Sequence, residues 1–136
     1  MNKLVTFFQV RDAAIKLSKI CQTAQAHFEK KEPLQIVVPD KAALEFVDLL
    51  LWRFPEESFL PHIVATTPCS DCIIITCERA PLNEAKAFFN LCLPPLLNNK
   101  VKIIYDFDDF TSSDKKQASD KRFAAYRDAQ FQIIHS

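Results

Sequence analysis

The sequence predicts an α/β fold, a three-layer α/β/α sandwich around a mostly parallel, mixed sheet. Three observations carry that reading. Runs rich in β-branched and aromatic residues alternate with stripes of helical period, and strand followed by helix followed by strand implies parallel pairing through crossovers. Two of the strand runs, Leu34 to Pro39 and Cys72 to Cys77, are almost continuously apolar, as expected of strands covered by other elements on both faces. At 136 residues with 49% hydrophobic content, the chain has enough apolar material for one core, so residues 1–136 read as one domain.

Taken in order, Leu4 to Val10 (LVTFFQV) is a strand by composition. Asp12 is a helix N-cap, followed by an apolar stripe of Ala14, Ile15, Leu17, Cys21, Ala24 and Phe28 that runs to about Lys31. Leu34 to Pro39 gives the second strand. Asp40 caps a helix whose stripe of Ala43, Leu44, Val47, Leu50 and Leu51 ends at Trp52, shortly before Pro55. Ile63 to Ala65 is a short strand and Cys72 to Cys77 a longer one. Leu82 to Leu93 is ambiguous: helix formers fill its first half, strand formers its second, and Pro94-Pro95 ends it. Lys100 to Phe107 reads as a strand, Ser113-Asp114 opens a last helix through about Ala129, and Phe131 to Ile134 closes as an extended tail.

Composition excludes several classes of function. The chain has no glycine, and neither a Walker loop nor a dinucleotide fingerprint can be written without it, so the fold is Rossmann-like with no nucleotide-binding loop. Left-handed backbone positions then fall to residues such as Asn98-Asn99. Lys+Arg 17 against Asp+Glu 17 leaves no net charge for gripping a nucleic-acid backbone, so any tie to DNA is expected to be indirect. Met1 leads straight into the first strand without the pattern of a signal peptide, and no run reaches the length of a membrane helix. A soluble, cytoplasmic protein is expected.

Three constellations bear on chemistry. Cys69-Ser70-Asp71-Cys72, with His62 before it and Cys77 after it, has one C-x-x-C pair but no second pair to complete a zinc ribbon, and reduced cysteines in an apolar strand are commonly small hydrophobes. Asp106-Phe107-Asp108-Asp109-Phe110 places carboxylates at a strand end, where Mg²⁺ sites occur; without a phosphate cradle a solvated strand end is expected. His62 near Ser58 and Cys69 is a nucleophile set with nothing to form an oxyanion hole. A small α/β enzyme or metal protein using Cys69, Cys72, His62 or Asp106 is the alternative; no catalytic residue, cofactor or metal is expected.

Two stretches point to docking instead. Trp52-Arg53-Phe54-Pro55-Glu56-Glu57-Ser58-Phe59-Leu60-Pro61-His62 holds two large rings, Trp52 and Phe59, between prolines at a helix exit. That is a rigid anchor for a partner, unless the rings complete the core. On the last helix Lys116, Asp120, Phe123 and Arg127 share a face, a base–aromatic surface suited to an acidic peptide ending in an aromatic residue and a free carboxylate. The other reading of that face is an ordinary solvated one, with Phe123 and Tyr126 tucked into the sheet.

The string W-x-x-P-x-E-S-F-x-P-H resembles the chi subunit of bacterial DNA polymerase III. Arg122-Phe123-Ala124-Ala125-Tyr126-Arg127-Asp128-Ala129-Gln130-Phe131 is similar to that family's R-[YF]-x-A-Y-R-x-A-x-F near the chain end. The resemblance favours a strand over Ala87 to Leu93. It implies a non-catalytic accessory of the clamp-loader complex, linking it to single-stranded DNA-binding protein during replication. Trp52, Phe59 and Pro61 would meet a psi-like subunit, or a helicase on the same surface. Lys116 and Phe123, with Arg127 beside them and Arg122 reaching around the helix, would meet the acidic C-terminal tail of single-stranded DNA-binding protein. Asp120 stands where the family has an arginine, which predicts weaker and salt-sensitive tail binding.

Overall fold

The computed structural model describes residues 3–53, 60–98 and 100–136. Its elements are β1 (Leu4–Val10), α1 (Ala13–Lys30), β2 (Leu34–Val37), α2 (Lys41–Arg53), β3 (Ile63–Val64), β4 (Ile73–Thr76), β5 (Ala87–Asn90), β6 (Ile103–Asp109), α3 (Ser113–Asp128) and β7 (Gln132–His135). The strands form a seven-stranded sheet in the order β3-β4-β2-β5-β6-β1-β7. The expected sandwich is present, and the chain is α/β in class.

The expected antiparallel part is corrected: every strand pairing among the described residues is parallel. Among the described residues no helix lies between β4 and β5 or between β5 and β6, and crossovers between parallel strands are usually helical. Here irregular segments make the crossing. Buried Gln35 on β2 explains how the first is held, because its amide donates to the carbonyls of Glu78 and Ala80 and accepts from Leu82 N–H. The tail expected over 131–134 is strand β7, paired in parallel with β1 from Leu4↔Gln132 to Phe7↔His135.

Strand alternation divides the core in two. On one face, α1 and α2 press Ile20, Ala24, Val47 and Leu51 onto Ile36, Ile75, Phe89 and Phe107. On the other, α3 and the irregular segments cover Val5, Phe7, Phe88 and Ile104 with Tyr126, Leu96 and Phe131. Each of the valine, leucine, isoleucine and phenylalanine side chains among them, fully buried, contributes roughly 1.5–3 kcal/mol. Asp12 and Asp40 cap their helices as expected, accepting from Ile15 N–H at 2.9 Å and Ala43 N–H at 2.8 Å. The last helix is capped by Ser112, which accepts from Lys115 N–H at 3.2 Å.

Without glycine, left-handed backbone falls to Lys31, Glu84 and Gln130 among the described residues. At Lys31 this φ of 58° ends α1, with its N–H returning to His27 and Phe28 carbonyls. Asn98, expected in that role, instead accepts from Lys100 N–H through its side chain at 2.9 Å, and Asn99 lies outside the described residues. Strand β5 ends at Asn90 rather than Leu93, because the Asn90 side chain accepts from Cys92 N–H and donates to Pro94 O, turning the chain out of the sheet.

Candidate docking sites on helices α2 and α3

Helix α3 has two sides with different chemistry. Its sheet side buries Ser119, Arg122 and Tyr126. Residues at positions 104, 106 and 108 of β6 share the face beneath it, so Asp106 meets Arg122 and Asp108 meets Lys116. Arg122 Nε donates to both oxygens of Asp106 at 3.1 Å, while its two Nη atoms donate to the carbonyls of Leu93 and Phe107 and to Ser119 Oγ. Tyr126 Oη donates to Asp106 at 2.8 Å and accepts from Leu96 N–H and the Asn90 amide. Burial pushes the Asp106 carboxyl up from its ordinary value; the Arg122 guanidinium, the Tyr126 hydroxyl, Phe107 N–H and the Asn90 amide oppose it. The solvated strand end expected at Asp106 is therefore corrected: at 1% exposure it is the centre of a buried polar network. Arg122, expected to reach a ligand, is spent inside that network.

The outer side of α3 carries Lys116, Asp120, Phe123 and Arg127. Lys116 Nζ lies 2.8 Å from Asp108 Oδ1 and 2.8 Å from Asp120 Oδ1, and 4.3 Å from the Phe110 ring centroid. The hydrogen bond to Asp108, then that to Asp120, raises the Lys116 pKa and keeps the ammonium charged. Phe123 is half-buried, its ring 6.0 Å from Phe7 and 5.8 Å from His135. Between these groups is a cavity of about 210 Å³ lined by Phe7, Asp108, Lys116, Ser119, Asp120, Phe123 and His135. Arg127 projects outward beside Asp128, at 3.4 Å. The structure thus brings Lys116 and Phe123 together, sets Arg127 outside the cavity wall, and adds Phe7, Asp108 and His135. The alternation of β6 was the signal for Asp108. For Phe7 and His135 it was the pairing of β1 with β7, which a tail read as unpaired hides.

Trp52 lies near the end of α2, 39% exposed, its ring 4.2 Å from that of His62. His62 is buried. Its Nδ1 faces Leu60 O at 2.8 Å and its Nε2 faces Asp48 Oδ1 at 2.9 Å, which ties the chain after α2 back onto the helix. Pro61 is exposed beside it, and Phe59 lies outside the described residues. Two exposed residues that the sequence reading passed over, Phe46 and Leu49, fall in line with Trp52 at three-residue steps along α2. Their spacing was visible in the sequence; it was obscured by the overlapping core stripe of Leu44, Val47 and Leu51.

The residues of the alternative enzyme or metal reading have the following contacts. His62 has the contacts just described, Cys72 Sγ lies 3.9 Å from His27 O, and Cys69 N–H donates to Leu82 O. Among the described residues no three His, Cys, Asp or Glu side chains gather as a metal-binding group.

Compared with known protein families, the chain matches the sequence model of the DNA polymerase III chi subunit, HolC, over residues 1–134. No curated protein matches the chain.

Proposed function

Since the chain belongs to the DNA polymerase III chi subunit family, we propose that this accessory subunit acts as a non-catalytic adaptor, joining the clamp-loader complex to single-stranded DNA-binding protein during replication. The observation that carries the reading is that two unlike exposed surfaces sit on helices packed against opposite faces of one sheet. On α2 the surface is an apolar stripe of Phe46, Leu49 and Trp52. On α3 it is the ring-lined cavity beside Lys116. The first suits an apolar partner, a psi-like subunit or a helicase using the same residues, with exposed Pro61 close by. The second suits the acidic tail: a terminal aromatic ring would enter among Phe7, Phe123 and His135 while its carboxylate meets Lys116, with Arg127 assisting from outside. Arg122 serves this site by fixing α3 to the sheet.

The chain's zero net charge fits an adaptor that touches DNA through its partners. No described helix is long and apolar enough to cross a membrane. A cytoplasmic place of work follows from a part in replication.

The test is a bridging assay, in which immobilised psi-like subunit captures this chain and a fluorescent tail peptide is then added. The wild type should hold both at once. Trp52→Ala should lose the psi-like subunit and keep the peptide, and Phe123→Ala should do the reverse. If either substitution abolished both interactions, or if the two ligands excluded one another, the two-surface adaptor would be wrong.

A further inference from the structure

The ammonium of Lys116 is already bound to two carboxylates that differ in how firmly they are placed. Asp108 belongs to β6 and its side chain is 17% exposed, so the strand fixes it. Asp120 is 62% exposed and is one of the residues that line the cavity. It pairs with Lys116 at i, i+4 with the cation N-terminal to the acid, the weaker of the two orders for a helical ion pair and the one opposed to the helix dipole.

We infer that Asp120 is an internal competitor, a resident carboxylate occupying on Lys116 the position that the carboxylate of an acidic peptide would take. This rests on the tail reading above and adds a specificity device to it. Binding is then an exchange of carboxylates: the peptide's displaces Asp120, which swings into water, while Asp108 stays and keeps Lys116 in place. Displacement costs one exposed ion pair, so only a ligand that also fills the ring-lined cavity recovers more than it disrupts. An acidic peptide lacking a terminal aromatic residue would find Lys116 already neutralised. Asp120 therefore acts as a positioning residue that selects against acidity alone. The mechanism differs from simple repulsion, which would act with or without Lys116.

Fluorescence anisotropy of a labelled acidic peptide ending in phenylalanine with a free carboxylate tests this in wild type, Asp120→Asn, Lys116→Met and the double variant. All the substituted side chains are at least partly exposed, and thermal melts check that the proteins fold alike. Asp120→Asn should tighten the peptide roughly two- to fivefold. In the Lys116→Met background the same change should bring no gain. Equal gains in both backgrounds, or no gain in either, would overturn the exchange while leaving the tail site standing. Failure of all four proteins to bind would overturn the tail reading and the competitor with it.

Discussion

On its sheet side, helix α3 holds Arg122 against Asp106 with side-chain exposures of 7% and 1%; on its outer side it holds Lys116 against Asp120 at 33% and 62%. Both are cation–carboxylate pairs on one helix, and neither residue type distinguishes them. Their surroundings do. Asp106 receives hydrogen bonds from Arg122, Tyr126, Asn90 and Phe107 N–H, so removing one partner strands a charge where water does not reach it. Asp120 has water to fall back on, so its pair is weak and open to exchange. The arginines of R-F-A-A-Y-R divide in the same way: Arg122 builds the fold and Arg127 faces solvent.

The difference is sharpest on substitution. Arg122→Met should cost roughly 3–5 kcal/mol, because Asp106 stays buried without its cation, and urea denaturation would measure it. A loss below about 1 kcal/mol would place Arg122 with the surface pairs and dissolve the contrast. Tyr126→Phe keeps the edge contact with Phe7 but removes the donor to Asp106 and the acceptor of Leu96 N–H; about 1–3 kcal/mol is expected by the same measurement.

Acid supplies an intermediate case. Burial pushes Asp109 up, but hydrogen bonds from Lys16 and from Thr111 outweigh it and hold the carboxyl below its ordinary 3.8. Its contribution is therefore complete above that value and lost as pH falls through the lower folded one. His27 loses its contribution earlier: burial lowers its pKa below the ordinary 6.5. The neutral ring, donating to Glu32 O and accepting from Tyr105 Oη, is favoured above pH 6.5, and that stability falls away as pH drops through the folded value. Two steps should appear in stability against pH, the upper one absent in His27→Phe and the lower one in Asp109→Asn. A single step surviving both substitutions would assign acid sensitivity elsewhere.

The smallest effect belongs to the outer pair. Lys116→Met or Asp120→Asn should shift stability by no more than about 1 kcal/mol, with the shift shrinking at high salt. A larger, salt-insensitive change would make that pair structural and remove the ground for carboxylate exchange.

Most of the fold was legible because strand and helix periods are written in neighbouring residues. Leu4 to Val10, Ile73 to Thr76 and the caps Asp12 and Asp40 needed no distant information. What was hidden depends on pairing across the chain. Asp106 shares a strand face with Ile104, a core residue, but its burial is tolerable only because Arg122 and Tyr126 arrive from another element. The all-parallel sheet was obscured for the same reason, since the segment after β4 is held by Gln35, a single polar residue on a strand far earlier in the sequence. At the docking sites the anchors Trp52, Lys116 and Phe123 could be named from residue type and spacing. That Arg122 is buried and that Lys116 already holds two carboxylates required the third dimension.

The position of β1 has a consequence in time. It lies between β6 and β7, and its Leu4 pairs with Ile103 and Gln132, so both neighbours of this apolar strand follow it by about a hundred residues or more in the chain. At ribosomal rates of roughly 5–20 residues per second, β1 spends on the order of 5–20 seconds outside a sheet, carrying Val5 and Phe7, whose cover by Tyr126 and Phe131 is still to be made. During that interval the nascent chain exposes a sticky segment, and a chaperone that shields short apolar strands would govern how much of the protein reaches its folded form.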